Sequence, residues 1–351
     1  MINIAFVRGQ YLNNFEGQNY CFSEKIISLV GFSSIKTLHH NFPFPVIHLP
    51  SISDFLGNTR AVKIIANRTL GDAQMLFGIS KFASQFDIFH TADPHYYYSY
   101  QLAKLRSQNK IKKLLVTSWE TIPHNNETVM RKKEIKQFVL KHADHFLCYT
   151  ERAKLCLVME GINSSNISVI RLGVDLNKFK LQNSLFRQDI GGHAKFKKNV
   201  QILFVGRMIE EKGVIDLYQA FKTYFHHAKL YMIGEGVLAN KLQRMIFKDK
   251  LTHGVFIEKR SYETMSKEYQ KADIFVLPST KTKTWEEQYG MVLIEAMASG
   301  LPIVAYDTGA IGEVVGEAGI LIKEGDIRGL GAAIKTLIEN PSLRQKIGTM
   351  G

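Results

Sequence analysis

The feature that most constrains this chain is a regular alternation of short apolar runs with helix-length segments, sustained across all 351 residues. Residues 2–7, 87–92, 114–118, 145–150 and 167–172 form one series of such runs, and 200–205, 229–233, 255–257, 273–277, 303–306 and 319–322 form a second. Runs this short and continuous read as strands covered on both faces, and helix-length spacers make their pairing parallel. The expected fold class is therefore α/β, with two Rossmann-like doubly wound parallel-sheet domains facing an interdomain cleft. The polar stretch of residues 177–199 reads as the linker, which gives domains of 1–185 and 186–351.

The second half carries the more informative chemistry. In Glu287-Gln288-Tyr289-Gly290-Met291-Val292-Leu293-Ile294-Glu295, Gly290 permits a turn and the residues after it favour helix, while Gly300 and Pro302 stop it. The spacing predicts a helix over about residues 290–299. Glu287 and Glu295 then point to one side, because eight helical residues come within about 80° of full register. The amides of Gly290, Met291 and Val292 would face a ligand phosphate, leaving both glutamates for sugar and ribose hydroxyls. The alternative places Glu295 in solvent and makes Glu287 a helix-dipole residue.

Upstream, the apolar run ending at Val205-Gly206 is followed by Arg207 and Lys212. Loops at the carboxyl ends of strands line the ligand crevice in open α/β sheets, so a guanidinium fork and a mobile ammonium there suit a diphosphate. Pairing of both cations with Glu210 and Glu211 on a solvated loop is the competing assignment.

Taken in order, these segments resemble the donor-binding domain of the family-4 retaining glycosyltransferases of GT-B fold. The resemblance also covers Met232-Ile233-Gly234-Glu235-Gly236, Ala272-Asp273-Ile274 through Pro278-Ser279, and Pro302-Ile303-Val304 through Gly309-Ala310. It implies a hexosyltransferase using a UDP- or GDP-sugar, and a front-face route in which the departing diphosphate takes the acceptor proton. Arg207 and Lys212 would hold the diphosphate, Glu287 the donor sugar and Glu295 the ribose, with Gly206, Gly234, Tyr289, Gly290, Met291 and Val292 completing the donor site. Arg207, Lys212 and Glu287 would be the catalytic group. Ala310 stands where many relatives have glycine. Family members close with a helix crossing back to the first domain, and the sequence ends at Gly351 soon after Leu343-Arg344-Gln345-Lys346, so that crossover is either cut off or absent.

The first half resembles the family more loosely. In Arg8-Gly9-Gln10 through Glu16-Gly17-Gln18, Gly17 would let backbone approach the donor. Ser118-Trp119-Glu120 replaces a histidine-bearing strand end, so Trp119, Glu120 and, after an earlier strand, His95 are the candidate acceptor contacts. Trp119 could equally be a half-buried ring beside a loop carboxylate.

Charge adds a partner. The formal net charge is +13, and residues 101–141 hold ten basic and three acidic side chains. Basic residues around Val129, Met130, Ile135, Phe138 and Val139 could rest on an anionic membrane where a lipid-linked acceptor waits, or form a solvated helix face. The acceptor is expected to be a glycan or lipid-linked sugar of the cell envelope.

No aspartate is followed two positions later by another, and Cys21, Cys148 and Cys156 lack zinc spacing, so neither metal nor cofactor is expected. Free thiols and a first strand starting at Ile2 fit a cytoplasmic protein without a signal peptide. A nicotinamide dehydrogenase is excluded by the missing G-x-G-x-x-G after the first strand. Nucleic-acid binding is not expected, because the basic run lacks interleaved aromatics. A protein of this fold that binds nucleotide sugar without turnover remains the alternative.

Overall fold

The structure, a computed structural model, describes residues 1–17, 26–56, 69, 71–179, 200–224 and 228–351. It divides into two compact units, Met1–Leu172 and Gly173–Gly351. The boundary expected at 185 lies outside the described residues, as do Gln18 and Cys21.

The first unit is built on seven parallel strands, β1 (Ile2–Val7), β2 (Ile27–Ser34), β3 (Val46–Leu49), β4 (Ile88–Ala92), β5 (Leu114–Ser118), β6 (His145–Cys148) and β7 (Ile167–Val169). Their order is β3-β2-β1-β4-β5-β6-β7. The chain runs outward from β1 in both directions, so β1 and β4 flank the switch point at which their carboxyl ends splay apart. Five of these strands are the first-half runs predicted from sequence. The other two, β2 and β3, were not predicted: Gly31 interrupts the first, and the second is four residues set among Pro43, Pro45 and Pro50. Pairing supplies what propensity does not, with Gly31 in register with both Phe6 and Val46.

Burial on both faces explains the continuous apolar runs. Ala5, Phe6, Val7, Phe89, Leu114 and Val116 are fully covered. Helix Met130–His142 packs its apolar side on this core, with Ile135 and Val139 fully buried and Phe138 edge-on to Tyr100 of helix Tyr97–Ser107 at 5.2 Å. Ile135 and Val139, two of the apolar residues expected at a membrane face, are thus spent on the core, while Met130 is exposed. Lys136 is buried between Glu160 at 2.5 Å and Glu127 at 3.1 Å, Lys112 pairs with Asp87, Lys113 with Asp144, Arg131 with Glu134 and Lys133 with Glu127. Among the described residues, no helix is long and apolar enough to cross a membrane.

The loop after β1 is anchored by a buried ion pair. Arg8 and Glu16 have side chains 2% and 4% exposed and meet at 3.1 Å. Arg8 also donates to the carbonyls of Val7 and His90, and its guanidinium lies 4.1 Å over the Phe6 ring. Asn13 and the Tyr149 hydroxyl donate to Glu16 at 2.8 and 3.0 Å. Burial pulls the Glu16 carboxyl up, but Arg8 and these donors outweigh it and hold it below its ordinary value.

The second unit carries six parallel strands, β8 (Gln201–Val205), β9 (Lys229–Ile233), β10 (Val255–Glu258), β11 (Ile274–Leu277), β12 (Ile303–Tyr306) and β13 (Gly319–Ile322). Their order is β10-β9-β8-β11-β12-β13, so the switch point lies between β8 and β11. All six runs expected in this half are strands, with ends shifted by at most one residue. Helix Met291–Ala298 joins β11 to β12 and stops at Gly300, whose φ of +68° is the left-handed conformation the sequence called for.

Removing one member of a buried ion pair strands the other. Glu16→Ala is therefore expected to destabilise the first unit by about 3–5 kcal/mol, read by denaturant unfolding followed at Trp119. Because the folded carboxyl is held low, the wild-type contribution is present above the ordinary carboxylate range and is lost as pH falls through the depressed value. Wild type and variant should converge in acid.

Candidate functional site

The site in the second unit forms where the loops following β8, β9, β11 and β12 meet. Gly206 follows β8 and bonds through its amide to the Ile233 carbonyl at 3.0 Å. Gly234 faces it with φ +147°, and a Cβ on Gly234 would lie 1.9 Å from the Gly206 oxygen. The Met208 amide then donates to the Glu235 carbonyl at 2.7 Å, locking the first two loops together.

The chain continues through the turn Glu210–Lys212 to Gly213, whose φ is +61°. A Cβ there would lie 1.8 Å from the Pro278 oxygen, and the Thr280 amide donates to the Glu211 carbonyl at 2.9 Å. This seam delivers Lys212 to Glu287. Lys212 Nζ is 2.5 Å from Glu287 Oε2, the same oxygen accepts from the Ser279 hydroxyl at 3.0 Å, and the ammonium lies 5.0 Å from the Trp285 ring centre. Among the described residues, neither Glu210 nor Glu211 pairs with Lys212 or Arg207, so the solvated-loop alternative fails for Lys212. Arg207 is exposed and makes no ion pair with a described residue.

Glu287 is held by its backbone too. Its carbonyl accepts from the Ala310 amide at 2.8 Å, and a Cβ on Gly309, at φ +57°, would lie 2.3 Å from that carbonyl oxygen. Thr308 ties this turn to the Ser279 carbonyl at 2.7 Å. Ala310 in place of glycine costs nothing here, since its own φ is −93°.

Gly290, at φ +77°, begins helix Met291–Ala298 without any side-chain cap, so the first-turn amides at Met291 and Val292 lack intrahelical acceptors. Tyr289 is buried just before it. Glu295 lies on the same helix, buried, and accepts from the Tyr269 hydroxyl at 2.8 Å. It does not face solvent. Burial pushes its carboxyl up, against hydrogen bonds from Tyr269 and Tyr262 and the charge of Lys178.

The acceptor-side candidates lie in the first unit. Trp119 is half-buried and edge-on to Tyr149 at 4.3 Å. Glu120 is consumed by its own loop: Oε1 accepts from the amides of Thr121 and Ile122, and Oε2 from the side chains of Asn125 and Asn126. His95 is buried against Tyr96 at 4.4 Å, and burial, with Lys132 and Lys136 nearby, lowers its pKa well below the usual histidine range. The close approach permitted by Gly17 is that of the Phe44 ring, which a Cβ would meet at 2.2 Å. His124, Glu127 and Glu160 are spaced to hold a metal, but the Lys136 ammonium already sits on both carboxylates.

Ser279, Tyr262 and Tyr269 enter the site without having been singled out from sequence. Ser279 could have been found, since it stands just beyond β11 as Gly206 stands just beyond β8. Nothing in the spacing marks the tyrosines.

Two Rossmann-like units with these strand orders define the GT-B fold. Residues 186–351 match the family model described as glycosyl transferases group 1. The chain is 32% identical over 198 residues to the capsular polysaccharide biosynthesis glycosyltransferase CapM of Staphylococcus aureus, covering 54% of this chain and 48% of that protein. It is 33% identical over 151 residues to an uncharacterized glycosyltransferase of Methanocaldococcus jannaschii, covering 42% and 41%. The chain thus spans less than half the length of these curated relatives. Among solved structures it resembles Anabaena HepE in complex with UDP, at TM-score 0.74 and 17% identity over 99% of this chain and 93% of that one.

Gly309→Ala should disturb Glu287 without touching a ligand-facing side chain. A non-glycine residue in this conformation costs about 1–3 kcal/mol before the clash is added, so the expected result is a lower melting temperature for Gly309→Ala than for Gly325→Ala, which shares the left-handed φ (+77°) but whose Cβ meets nothing within 4 Å.

Proposed function

We propose that this chain is a retaining glycosyltransferase that moves a hexose from a UDP- or GDP-sugar to a hydroxyl of a glycan or lipid-linked acceptor in cell-envelope synthesis. The observation that carries the reading is the Lys212–Glu287–Ser279 cluster beside an uncapped helix start, with Arg207 exposed and unpaired among the described residues. Cations and unsatisfied amides together suit a diphosphate, and a carboxylate next to them suits sugar hydroxyls. The match to glycosyl transferases group 1 supports the class. Neighbouring structures described as holding UDP or UDP-glucose favour a uridine donor.

In this reading Arg207, Lys212 and the amides of Met291 and Val292 bind the diphosphate and stabilise the charge that grows on it as the glycosidic bond breaks. The departing phosphate oxygen takes the acceptor proton, so no separate protein base is required. Glu287, pinned through Oε2, presents Oε1 to the donor sugar, and Glu295 meets the ribose. The cations supply what a divalent ion would, and the reaction is metal-independent. A reducing cytoplasm suits the buried free thiols Cys148 and Cys156.

Thermal-shift titration with UDP, GDP, ADP, CDP and their sugar conjugates tests the reading directly. One nucleotide family should raise the melting temperature, and Arg207→Ala should abolish that rise. Turnover in Arg207→Ala or Lys212→Ala should fall by about a hundredfold to a thousandfold. Near-normal turnover in either variant would sink the assignment.

A further inference from the structure

In the first unit, the residue immediately beyond β4 is Asp93, on one side of the β1/β4 switch point where α/β sheets bind ligands. Its Oδ1 accepts from the Trp119 amide at 2.8 Å. Its Oδ2 has no hydrogen-bond partner among the described residues and is not sealed from solvent. The carboxylate is thus aimed by one oxygen and open at the other, and the amide that aims it belongs to Trp119, whose indole is half-buried. The wall behind it is rigid, because Glu120 spends both oxygens on the loop of residues 120–126 and Lys132 donates to Asn126 in the same loop at 3.1 Å.

We propose that Asp93 is the acceptor-binding carboxylate of the amino-terminal unit, taking a hydrogen bond from a sugar hydroxyl on Oδ2 while the Trp119 ring covers the C–H face of that sugar. The proposal rests on the transferase reading only in identifying the bound sugar as the acceptor. It moves the polar acceptor contact from Glu120, which has no lone pair left to offer, to a residue the sequence motifs had not marked. Asp93 acts here as a binding and positioning residue.

Protonation gives the contact a signature. Burial raises the Asp93 carboxyl to about 7, with Glu120 and Glu16 adding to the rise against the Trp119 amide and Arg8. The other titratable groups close enough to act on it are Lys132 from helix Met130–His142, Cys148 of β6, and Tyr96 and Tyr98 from its own side. The ionised form accepts from a hydroxyl, so sugar affinity should rise as pH climbs through that value.

The test is saturation-transfer NMR of octyl β-D-glucoside on the full chain, a pH unit below and a pH unit above that value, with UDP-induced thermal stabilisation measured in parallel. Wild type should bind the glycoside up to about tenfold more tightly at the higher pH. Asp93→Asn, which can still accept from the Trp119 amide, should bind at least tenfold more weakly at the higher pH, show no pH dependence, and keep its UDP response. If Asp93→Asn melts early, Trp119→Leu should weaken binding yet preserve the pH rise. An Asp93→Asn affinity and pH profile equal to wild type would overturn the proposal, as would a wild type that responds to UDP but binds no glycoside. A wild type that binds glycoside through Asp93 but ignores UDP would instead remove the transferase reading.

Discussion

The second unit is organised around keeping Glu287 where it is. A carboxylate 8% exposed needs a counter-charge, and Lys212 can supply it only because the loop after β8 is pressed against the end of β11. That contact depends on Gly213, where any side chain would strike the Pro278 carbonyl, and the opposite contact, on the Glu287 backbone, depends on Gly309. Two glycines in left-handed geometry thus let three strand-end loops converge on one side chain. The ion pair in turn fixes the ammonium, which would otherwise spread over many rotamers, so the cost of ordering the cation is met in folding and not at ligand binding.

The first unit uses the same device with opposite exposure. Arg8 and Glu16 also join loops at the carboxyl ends of strands, but their charges are almost wholly covered, and Phe6, Val7, His90, Asn13 and Tyr149 take up what the pair leaves unsatisfied. A pair so completely enclosed can position a loop but can offer little to a ligand. Lys212–Glu287 is less fully enclosed, at 12% and 11% side-chain exposure, and the Glu287 Oε1 has no described partner. The degree of enclosure separates the scaffold pair from the chemical one.

Much of this was legible in the sequence where a physical constraint acts locally. Strand runs buried on both faces, the helix start at Gly290 and its stop at Gly300 all follow from nearest neighbours, and each is where the sequence put it. Spacing led to the expectation of one crevice for Glu287 and Glu295, and their partners differ, Lys212 and Ser279 for the first and Tyr269 for the second. What was not legible depends on tertiary partners: β2 becomes a strand through pairing with β1, β3 through pairing with β2, and Tyr269 reaches Glu295 across 26 residues. Helix Met130–His142 shows the same limit. Its basic residues suggested an anionic surface, whereas tertiary contacts bury Ile135, Lys136 and Val139.

Three largely buried acidic residues end in different chemical states. Asp93 and Glu120 lie just beyond strands and Glu287 just before a helix, so burial alone would give them equal claim to a ligand. Glu120 accepts four hydrogen bonds from its own loop, and its carboxylate is complete. Glu287 accepts two donors on one oxygen, one of them cationic, which leaves the other oxygen available. Asp93 accepts a single neutral amide and faces two other carboxylates, and burial raises it to about 7, so its charge can change near neutrality. A ligand hydroxyl has nothing to gain from Glu120, an open oxygen to meet at Glu287, and at Asp93 a charge that its own arrival helps to hold. The count of donors already engaged, more than residue type or location, decides which of these carboxylates can work.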